Sequence, residues 1–271
     1  MLFVCPKCMQ KLNTEEGRAV CERGHSYDRS RHGYYNLLLS GSGGTHGDNR
    51  EMVLARRTFL DTGAYAPLAD KLSELVSRHL VSGGVLLDVG MGEGYYTAHI
   101  AARLDETGVP YTLLGFDISK DAARYAAKRV RGTVAVASAY RMPLASSSVD
   151  LALNVFSPLA HSELCRTVKS GGRFIMAIPN RRHLFGLKRE LYREPYENEV
   201  AADGLGGFKL LERVELSYEI TLGSSEQIQS LFMMTPYAYR TPPTAREHLG
   251  SLDTLTTEVE FIIFVYERDG T

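Results

Sequence analysis

The sequence predicts an α/β fold in which a doubly wound parallel sheet carries a late antiparallel hairpin and a small N-terminal metal-binding module. Three observations lead to this prediction. Apolar, strand-like runs alternate with helical patterns between residues 85 and 179, as in parallel sheets that helices cover on both faces. A glycine-rich turn, Gly90-x-Gly92-x-Gly94, follows the first of these strands, and a Cys-x2-Cys pair begins at Cys5.

Composition limits the classes of protein to which the chain can belong. Its 271 residues are long for one compact domain, so we expect a main domain and an appendage. No apolar run approaches the ~20 residues that cross a bilayer, and no targeting segment is recognisable, so we expect a cytoplasmic protein without a membrane partner. The net charge of −1 is uninformative, but residues 166–193 carry eight Lys or Arg against one acid and form a candidate phosphate-binding surface.

The N-terminal cysteines match the spacing of a zinc site. The pattern Cys5-x2-Cys8-x12-Cys21-x3-His25 places four soft ligands in one short segment, which favours a single tetrahedral, structural zinc ion. A thioredoxin-like redox pair would follow a strand of a βαβ unit, and a disulfide would need an oxidising compartment, so both alternatives are disfavoured. We expect the remaining cysteine, Cys165, to lie in the core.

The composition of the chain divides it into three parts. Residues 1–39 form the predicted zinc-binding module, and residues 40–50, SGSGGTHGDNR, form a flexible linker rich in Gly and Ser. The main domain covers residues 51–271 and opens with two amphipathic helices, at about 52–59 and 67–80.

The elements of the main domain are predicted from its apolar runs and helical spacings. We expect parallel strands at 85–89, 111–119, 133–137, 149–156 and 173–179, with helices after Gly94, at 120–129 and at 162–169. Two late strands, 213–223 and 256–268, are separated by a helical insert and suit an antiparallel pair at the sheet edge.

Acidic residues at two strand ends indicate the kind of ligand. Ligands of doubly wound sheets bind outside the carboxyl ends of the strands, where Asp88 and Asp117 lie and where Gly90 and Gly92 let the backbone approach. Asp117 suits a ribose diol, which NAD and S-adenosylmethionine share. Glu93, within the glycine turn, would repel a pyrophosphate and attract a cationic ligand. With the late hairpin, these residues favour the Rossmann-like fold of a class I S-adenosylmethionine-dependent methyltransferase over an NAD enzyme.

The sequence also resembles one enzyme family along nearly its whole length. It is similar to the bacterial 23S rRNA guanine-N1 methyltransferases, which include macrolide-resistance enzymes, in the stretches CPKC, CERGHSYDRSRHGYYNLL, GDNREMVLARRTFLDTGAYAPL, LLDVGMGEGYYT and PNRRHLFGLKRELY. The resemblance implies zinc ligation by the four N-terminal residues and cofactor contacts from Tyr65, Glu93, Gly94 and His183. Met91 stands where the family often has Cys, a change of little expected effect because the neighbouring glycines set the turn.

Two parts of the site are less well determined by the sequence. Many methyltransferases hold the adenine amino group with an acid after the third strand, where this chain has Ser138 and Ala139, so we expect the contact from Ser138 or from backbone. The catalytic residue is unknown. Asp48, Asn154 and Ser157 are candidates for a general base, although Asp48 is more simply interpreted as the cap of the next helix.

The expected partner is a 23S rRNA hairpin. Guanine N1 lies on the Watson–Crick edge, so the target base must be unpaired or flipped out. We expect contacts to the RNA backbone from the basic stretch Arg181, Arg182, Lys188, Arg189 and Arg193. The zinc module adds interleaved basic and aromatic residues, namely Arg23, Tyr27, Arg29, Arg31, Tyr34 and Tyr35.

Two alternative functions remain open at this point. One is a small-molecule S-adenosylmethionine-dependent methyltransferase whose zinc module is a lid or a dimer contact. The other is a zinc-stabilised RNA-binding protein without catalysis, against which the intact glycine turn and strand-end acids argue. A homodimer also remains open.

Overall fold

The computed structural model describes residues 1–39, 47–200, 203–239 and 241–270. Most of the predicted linker, residues 40–46, therefore lies outside the described residues. The N-terminal segment contains four short strands: β1 (Leu12–Glu15), β2 (Arg18–Cys21), β3 (Ser26–Asp28) and β4 (Tyr35–Asn36). Strands β1 to β3 form an antiparallel sheet of their own.

The main domain begins with two helices and continues with alternating strands and helices. Its first half contains α1 (Arg50–Leu60), α2 (Ala66–His79), β5 (Gly84–Val89), α3 (Tyr95–Thr107), β6 (Tyr111–Asp117), α4 (Lys120–Arg129) and β7 (Thr133–Val136). Its second half contains β8 (Val149–Val155), α5 (His161–Thr167), β9 (Val168–Pro179), α6 (Phe185–Leu191), β10 (Phe208–Leu222), α7 (Ser225–Met233), a 3-10 helix (Pro236–Tyr239), α8 (Pro243–Gly250) and β11 (Leu255–Arg268).

The strands of the main domain form one eight-stranded sheet in the order β10-β11-β9-β8-β5-β6-β7-β4. The pairs from β9 to β4 are parallel, whereas β10, β11 and β9 pair antiparallel. Asp88 of β5 lies opposite Gly115 of β6, so the carboxyl ends of these two strands open at the same edge. The predicted doubly wound sheet with a late antiparallel hairpin is confirmed.

Helix caps explain where several elements begin. The Ser119 side chain accepts a hydrogen bond from the backbone N–H of Ala122 and starts α4. The cap of α1 is Asn49, whose Oδ1 accepts from the backbone N–H of Met52 at 3.0 Å. The interpretation of Asp48 as this cap is therefore wrong, and the Asp48 side chain is available for another contact.

The core has two layers, one on each face of the sheet. On one face, Leu86 of β5 packs in a cluster with residues of α2, α3, α6 and α7. On the other face, Leu87 packs in a second cluster to which the N-terminal segment contributes Phe3 and Leu12. The backbone N–H of Val4 donates to the Pro143 carbonyl at 2.8 Å.

The zinc segment is thus joined to the main sheet by both side chains and backbone. Its last strand, β4, pairs in parallel with β7 through Tyr35 opposite Ala135. The division into a module at 1–39 and a domain at 51–271 stays a prediction, but the two share a sheet and a core layer.

Two further expectations meet different outcomes. Cys165 lies on α5, half-buried at the margin of the second core cluster rather than inside it, with Sγ 3.5 Å from Nε2 of His161. Among the described residues, no helix combines the length and the apolar character needed to cross a bilayer.

Candidate active site and metal centre

A cavity of about 950 Å³ opens at the carboxyl ends of β5, β6 and β8, within the size range of ligand sites. Eight of the nine predicted cofactor residues line this cavity, namely Tyr65, Asp88, Gly90, Gly92, Glu93, Asp117, Ser138 and His183. The ninth, Gly94, caps α3 in a left-handed conformation beside Ala126. Their role in cofactor binding stays a prediction, but the structure brings them to one place.

The glycine turn needs left-handed backbone and close packing. Gly90, Gly92 and Gly94 have φ of 75°, 57° and 86°, where a side chain would be strained. A Cβ on Gly90 would lie 2.1 Å from Oγ of Ser157, so the turn packs directly against the residues after β8. A Cβ on Gly92 would meet only Nη1 of Arg56, at 4.0 Å. The space beside Gly92 is therefore open to a ligand.

Two largely buried carboxylates face the cavity. Asp88 is 3% exposed and accepts a hydrogen bond from Oγ1 of Thr97, and burial raises the pKa of Asp88 to about 7, with a further contribution from Asp117. Asp117 accepts from the backbone N–H groups of Gly92 at 2.9 Å and Ser119 at 2.8 Å, while burial raises its pKa. Because a nearby cation favours ionised carboxylates, this pair suits a positively charged ligand with hydroxyl groups.

Glu93 has a different environment from the one expected. Its side chain is 2% exposed and forms an ion pair with Arg129, which also pairs with Asp61. Burial raises the pKa of Glu93, and the Arg129 guanidinium opposes that shift. The charge of Glu93 is thus shared with α4, which helps to anchor the glycine turn, and its contact with a cofactor stays a prediction.

Tyr65 and His183 form a buried pair on the opposite wall. Tyr65 Oη lies 3.2 Å from His183 Nε2, while His183 Nδ1 accepts from the backbone N–H of Glu260 at 3.3 Å. Burial, aided by Lys188, lowers the pKa of His183 to about 3, so the ring is neutral. Since Nδ1 accepts, the proton resides on Nε2 and is donated to Tyr65. The hydroxyl hydrogen of Tyr65 is then free for another acceptor.

The candidate bases differ in their access to the cavity. Asp48 lines the cavity and forms an ion pair with Arg56, which also donates to the Met234 carbonyl at 3.3 Å. Asn154 is 1% exposed, and its amide is used within its own turn. Ser157 lines the cavity beside the glycine turn. The structure thus keeps Asp48 and Ser157 near a ligand and assigns Asn154 a structural role.

Sequence reasoning missed several residues of the cavity wall. Phe156 follows β8 directly, a position that the carboxyl-end rule could have identified. Met52 and Arg56 come from α1, and a run from Met234 to Tyr237 comes from the helical insert. These segments carry no local motif, so only the fold brings them to the site.

The four predicted zinc ligands converge. One ligand atom from each of Cys5, Cys8, Cys21 and His25 lies within 4.8 Å of all the others. Sγ of Cys8 and Sγ of Cys21 are 3.7 Å apart, and Nδ1 of His25 is 3.4 Å from Sγ of Cys5. Zinc–sulfur bonds of ~2.3 Å at tetrahedral angles place two sulfurs about 3.8 Å apart. The donor set therefore fits one tetrahedral zinc ion.

A second layer supports this centre. The Tyr27 hydroxyl lies 3.2 Å from Sγ of Cys5 and can donate to a thiolate. Cys5 and Cys21 are buried, so the centre is closed on the side of the core. A closed site of four protein ligands is typical of structural zinc rather than catalytic zinc.

Known protein families match both parts of the chain. A zinc-ribbon family described as "RlmA, N-terminal" matches residues 3–39, and the family "Methyltransferase domain" matches residues 86–172. The Bacillus subtilis protein YxjB, named for 23S rRNA (guanine-N(1)-)-methyltransferase activity, is 32% identical over 97% of this chain and 96% of its own. The 23S rRNA (guanine(748)-N(1))-methyltransferase of Streptomyces fradiae is 36% identical over 66% of this chain and 64% of its own. The main domain has the class I methyltransferase fold, and the N-terminal segment is a zinc ribbon.

The shared core layer predicts how zinc removal affects the whole chain. Cys8→Ser should abolish stoichiometric zinc and lower the unfolding midpoint by roughly 5 °C or more, because Phe3 and β4 would lose their ordered positions on the main sheet. Metal analysis and calorimetry test this. Cys165 lies outside the zinc-ligand cluster, so Cys165→Ser should bind zinc and unfold at the same midpoint as the wild-type protein. A zinc-free Cys8→Ser variant with the wild-type midpoint would show that the module is energetically separate.

The open space beside Gly92 predicts a ligand-specific effect. Gly92→Ala should lower the affinity for S-adenosylmethionine by roughly tenfold or more, since the new methyl group projects into the cavity. Gly108→Ala is the matched control, because Gly108 also has a left-handed φ, of 68°, with nothing within 4 Å of its missing Cβ. Both variants carry similar backbone strain of ~1 kcal/mol. Equal cofactor affinities by calorimetry would argue against this placement of the ligand.

Proposed function

Because the chain belongs to the 23S rRNA (guanine-N1)-methyltransferase family, we propose that it transfers a methyl group from S-adenosylmethionine to N1 of a guanine in 23S rRNA. The observation that carries the proposal is the pair of carboxylates, buried Asp88 and half-buried Asp117, beside the open glycine turn. When bound, S-adenosylmethionine supplies an electrophilic methyl group on a sulfonium centre.

The cavity residues take distinct roles in holding this cofactor. Asp117, at the end of β6, would accept hydrogen bonds from the ribose hydroxyls. Asp88 would provide negative charge to the cationic part of the ligand, and the bare Gly92 backbone would allow close approach. Ser138, in the turn after β7, would lie at the adenine. Tyr65 would offer its free hydroxyl hydrogen as a donor, with its orientation fixed by His183.

The substrate base enters from the side of the cavity that these residues leave open. That side is formed by residues after β8 and β9 and by the helical insert, including Phe156, Pro179, Met234 and Tyr237. The target guanine must expose its Watson–Crick edge, so we propose a base in a hairpin loop. Holding N1 at about 3 to 3.5 Å from the methyl carbon, in line with the sulfur, supplies the positional share of catalysis. Asp48 and Ser157, both at the cavity wall, are the candidates for the general base.

A basic cluster at the junction of the zinc module and α4 supports an RNA substrate. The turn containing Gly33 packs on α4, where a Cβ on Gly33 would lie 3.7 Å from Ala127. His32 lies among Arg31, Arg124 and Lys128, and burial together with these cations lowers its pKa. In the described part of the chain, none of the three cations forms an ion pair. We call Arg31, Arg124 and Lys128 the junction cluster, and it offers uncompensated charge to phosphates.

The predicted basic stretch is less available than the sequence indicated. Lys188 is fully buried and donates to the Tyr196 carbonyl at 2.9 Å and to Oδ1 of Asn198 at 2.7 Å, so its expected contact with RNA is wrong. Arg182 and Arg189 both pair with Glu258, at 2.7 and 3.0 Å. Their charge is therefore partly compensated on the protein itself.

Two other expectations from the sequence stay predictions. A cytoplasmic location is supported by the proposed substrate, because ribosomal RNA lies inside the cell. A homodimer also stays a prediction.

Reverse transcription of 23S rRNA tests the proposed function. N1-methylguanine cannot pair, so a primer-extension stop should appear in RNA from wild-type cells and disappear in a deletion strain. Purified protein with labelled S-adenosylmethionine should restore the stop on the deletion-strain RNA. Transfer to no position of 23S rRNA would overturn the proposal and favour a small-molecule substrate.

The junction cluster predicts a change in the salt dependence of RNA binding. Arg31→Ala combined with Lys128→Ala should make the slope of log affinity against log salt shallower by about two units. Each lost phosphate contact reduces the magnitude of that slope by about one unit. Arg182→Ala combined with Arg189→Ala is the charge-matched control, for which we expect a slope near that of wild type. The reverse result, a shallower slope only in the control, would place the RNA on the 181–193 stretch.

A further inference from the structure

Several aromatic side chains of the cavity are not among the residues proposed for cofactor binding, and Phe156 differs from the others in its backbone conformation. Phe156 follows β8, lines the cavity and is 41% exposed. Tyr140 and Tyr239 also line the cavity and are exposed, but their backbones are unstrained. Phe156 has φ of 57°, a left-handed conformation that is rare for a bulky residue. Such outliers cluster where a side chain is held for binding or catalysis.

The turn that carries Phe156 is held rigidly in this strained form. The backbone N–H of Phe156 donates to the Ala177 carbonyl at 3.1 Å. The buried Asn154 amide closes the turn: Nδ2 donates to the Pro158 carbonyl at 3.2 Å, and Oδ1 accepts from the Ser157 N–H at 3.3 Å. The position of the Phe156 ring is therefore set before any ligand arrives.

The same turn touches the cofactor loop. Ser157 lies so close to Gly90 that a single added Cβ would stand 2.1 Å from Oγ of Ser157. Phe156 is thus one residue from the contact between the two walls of the cavity. A planar group on its exposed face would lie beside the glycine turn.

Other rings support Phe156 and leave part of it free. Phe261, fully buried, lies 5.4 Å from Phe156 between ring centroids, and Tyr96 meets it edge-on at 6.2 Å. The ring of His183 is nearly parallel to that of Phe156, at 25° and 6.5 Å. These contacts fix the plane of the Phe156 ring.

We propose that Phe156 is the stacking platform for the target guanine. The inference rests on the proposed function and adds the residue that receives the base. A guanine whose N1 is methylated must leave its own stack, and a flipped base is held by stacking on aromatic side chains. The rigid turn orients the plane of the base, so that N1 is presented toward the glycine turn and the methyl donor.

Substitutions that separate stacking from packing test this role on unmodified 23S rRNA transcript. Phe156→Ala should lower kcat/KM for the RNA roughly ten- to hundred-fold, the range that base–aromatic stacking supports. Phe156→Leu keeps apolar bulk but lacks a flat face and should lose nearly as much, whereas Phe156→Tyr should stay close to wild type. Affinity for S-adenosylmethionine, measured by calorimetry without RNA, should be unchanged in all three. Leu159→Ala removes a similarly exposed apolar side chain outside the cavity lining and should keep full activity.

A fourth variant distinguishes a loss of stacking from a loss of folding. Phe156→Gly suits the left-handed backbone, so it should stay folded with a midpoint near wild type while methylation falls as in Phe156→Ala. Wild-type kcat/KM in Phe156→Leu, or in Phe156→Ala, would overturn the proposal, and weakened cofactor binding would assign Phe156 to the cofactor site instead. If the wild-type protein itself methylates no 23S rRNA, the proposed function fails before this inference is reached.

Discussion

Burial of β5 on both faces is the constraint on which the rest of the structure depends. Leu86 and Leu87 point to opposite faces, and each needs its own cover. Helices cover Leu86, but the layer over Leu87 includes Phe3 and Leu12 of the zinc ribbon. Since β5 also carries Asp88 and leads into the glycine turn, the ribbon and the cofactor cavity share one strand. Zinc is therefore expected to stabilise the layer that supports the cavity, in addition to ordering its own segment.

The negative charge that the cavity offers to a ligand depends on which of its acidic residues form ion pairs within the protein. Glu93 is buried with Arg129 beside it, so its charge is compensated within the protein. Asp88 is buried and Asp117 half-buried, both accept hydrogen bonds, and within the described residues neither forms an ion pair. Burial raises the pKa of both, and Arg56 opposes that shift at Asp117. A cationic ligand nearby would favour the ionised form of both carboxylates. Affinity for S-adenosylmethionine over a neutral analogue is expected to arise here.

The sequence predicted those features that nearby residues determine. The zinc spacing lies within one short segment, and α4 has the predicted bounds, 120–129, because its cap and apolar face are local. Partners distant in the chain could not be predicted: Arg129 is 36 residues from Glu93, and Arg182 is 76 residues from Glu258. The sequence predicted Lys188 to be an exposed cation. Helical spacing shows which residues share a helix face, but it does not show which other parts of the chain cover that face. The gathering of the predicted cofactor residues around one cavity depended on the recognised fold.

Two residues beside the cavity have strained backbones, and the strain has a different explanation at each. Phe156 and Leu184 both have left-handed φ, 57° and 56°, where local rules would place glycine. Leu184 is 2% exposed, so its side chain contributes core packing that offsets the strain. Phe156 is 41% exposed, and burial offsets much less of its strain. The exposed part of the ring is available for a contact that forms when a substrate base is present, which is the condition that a stacking platform satisfies.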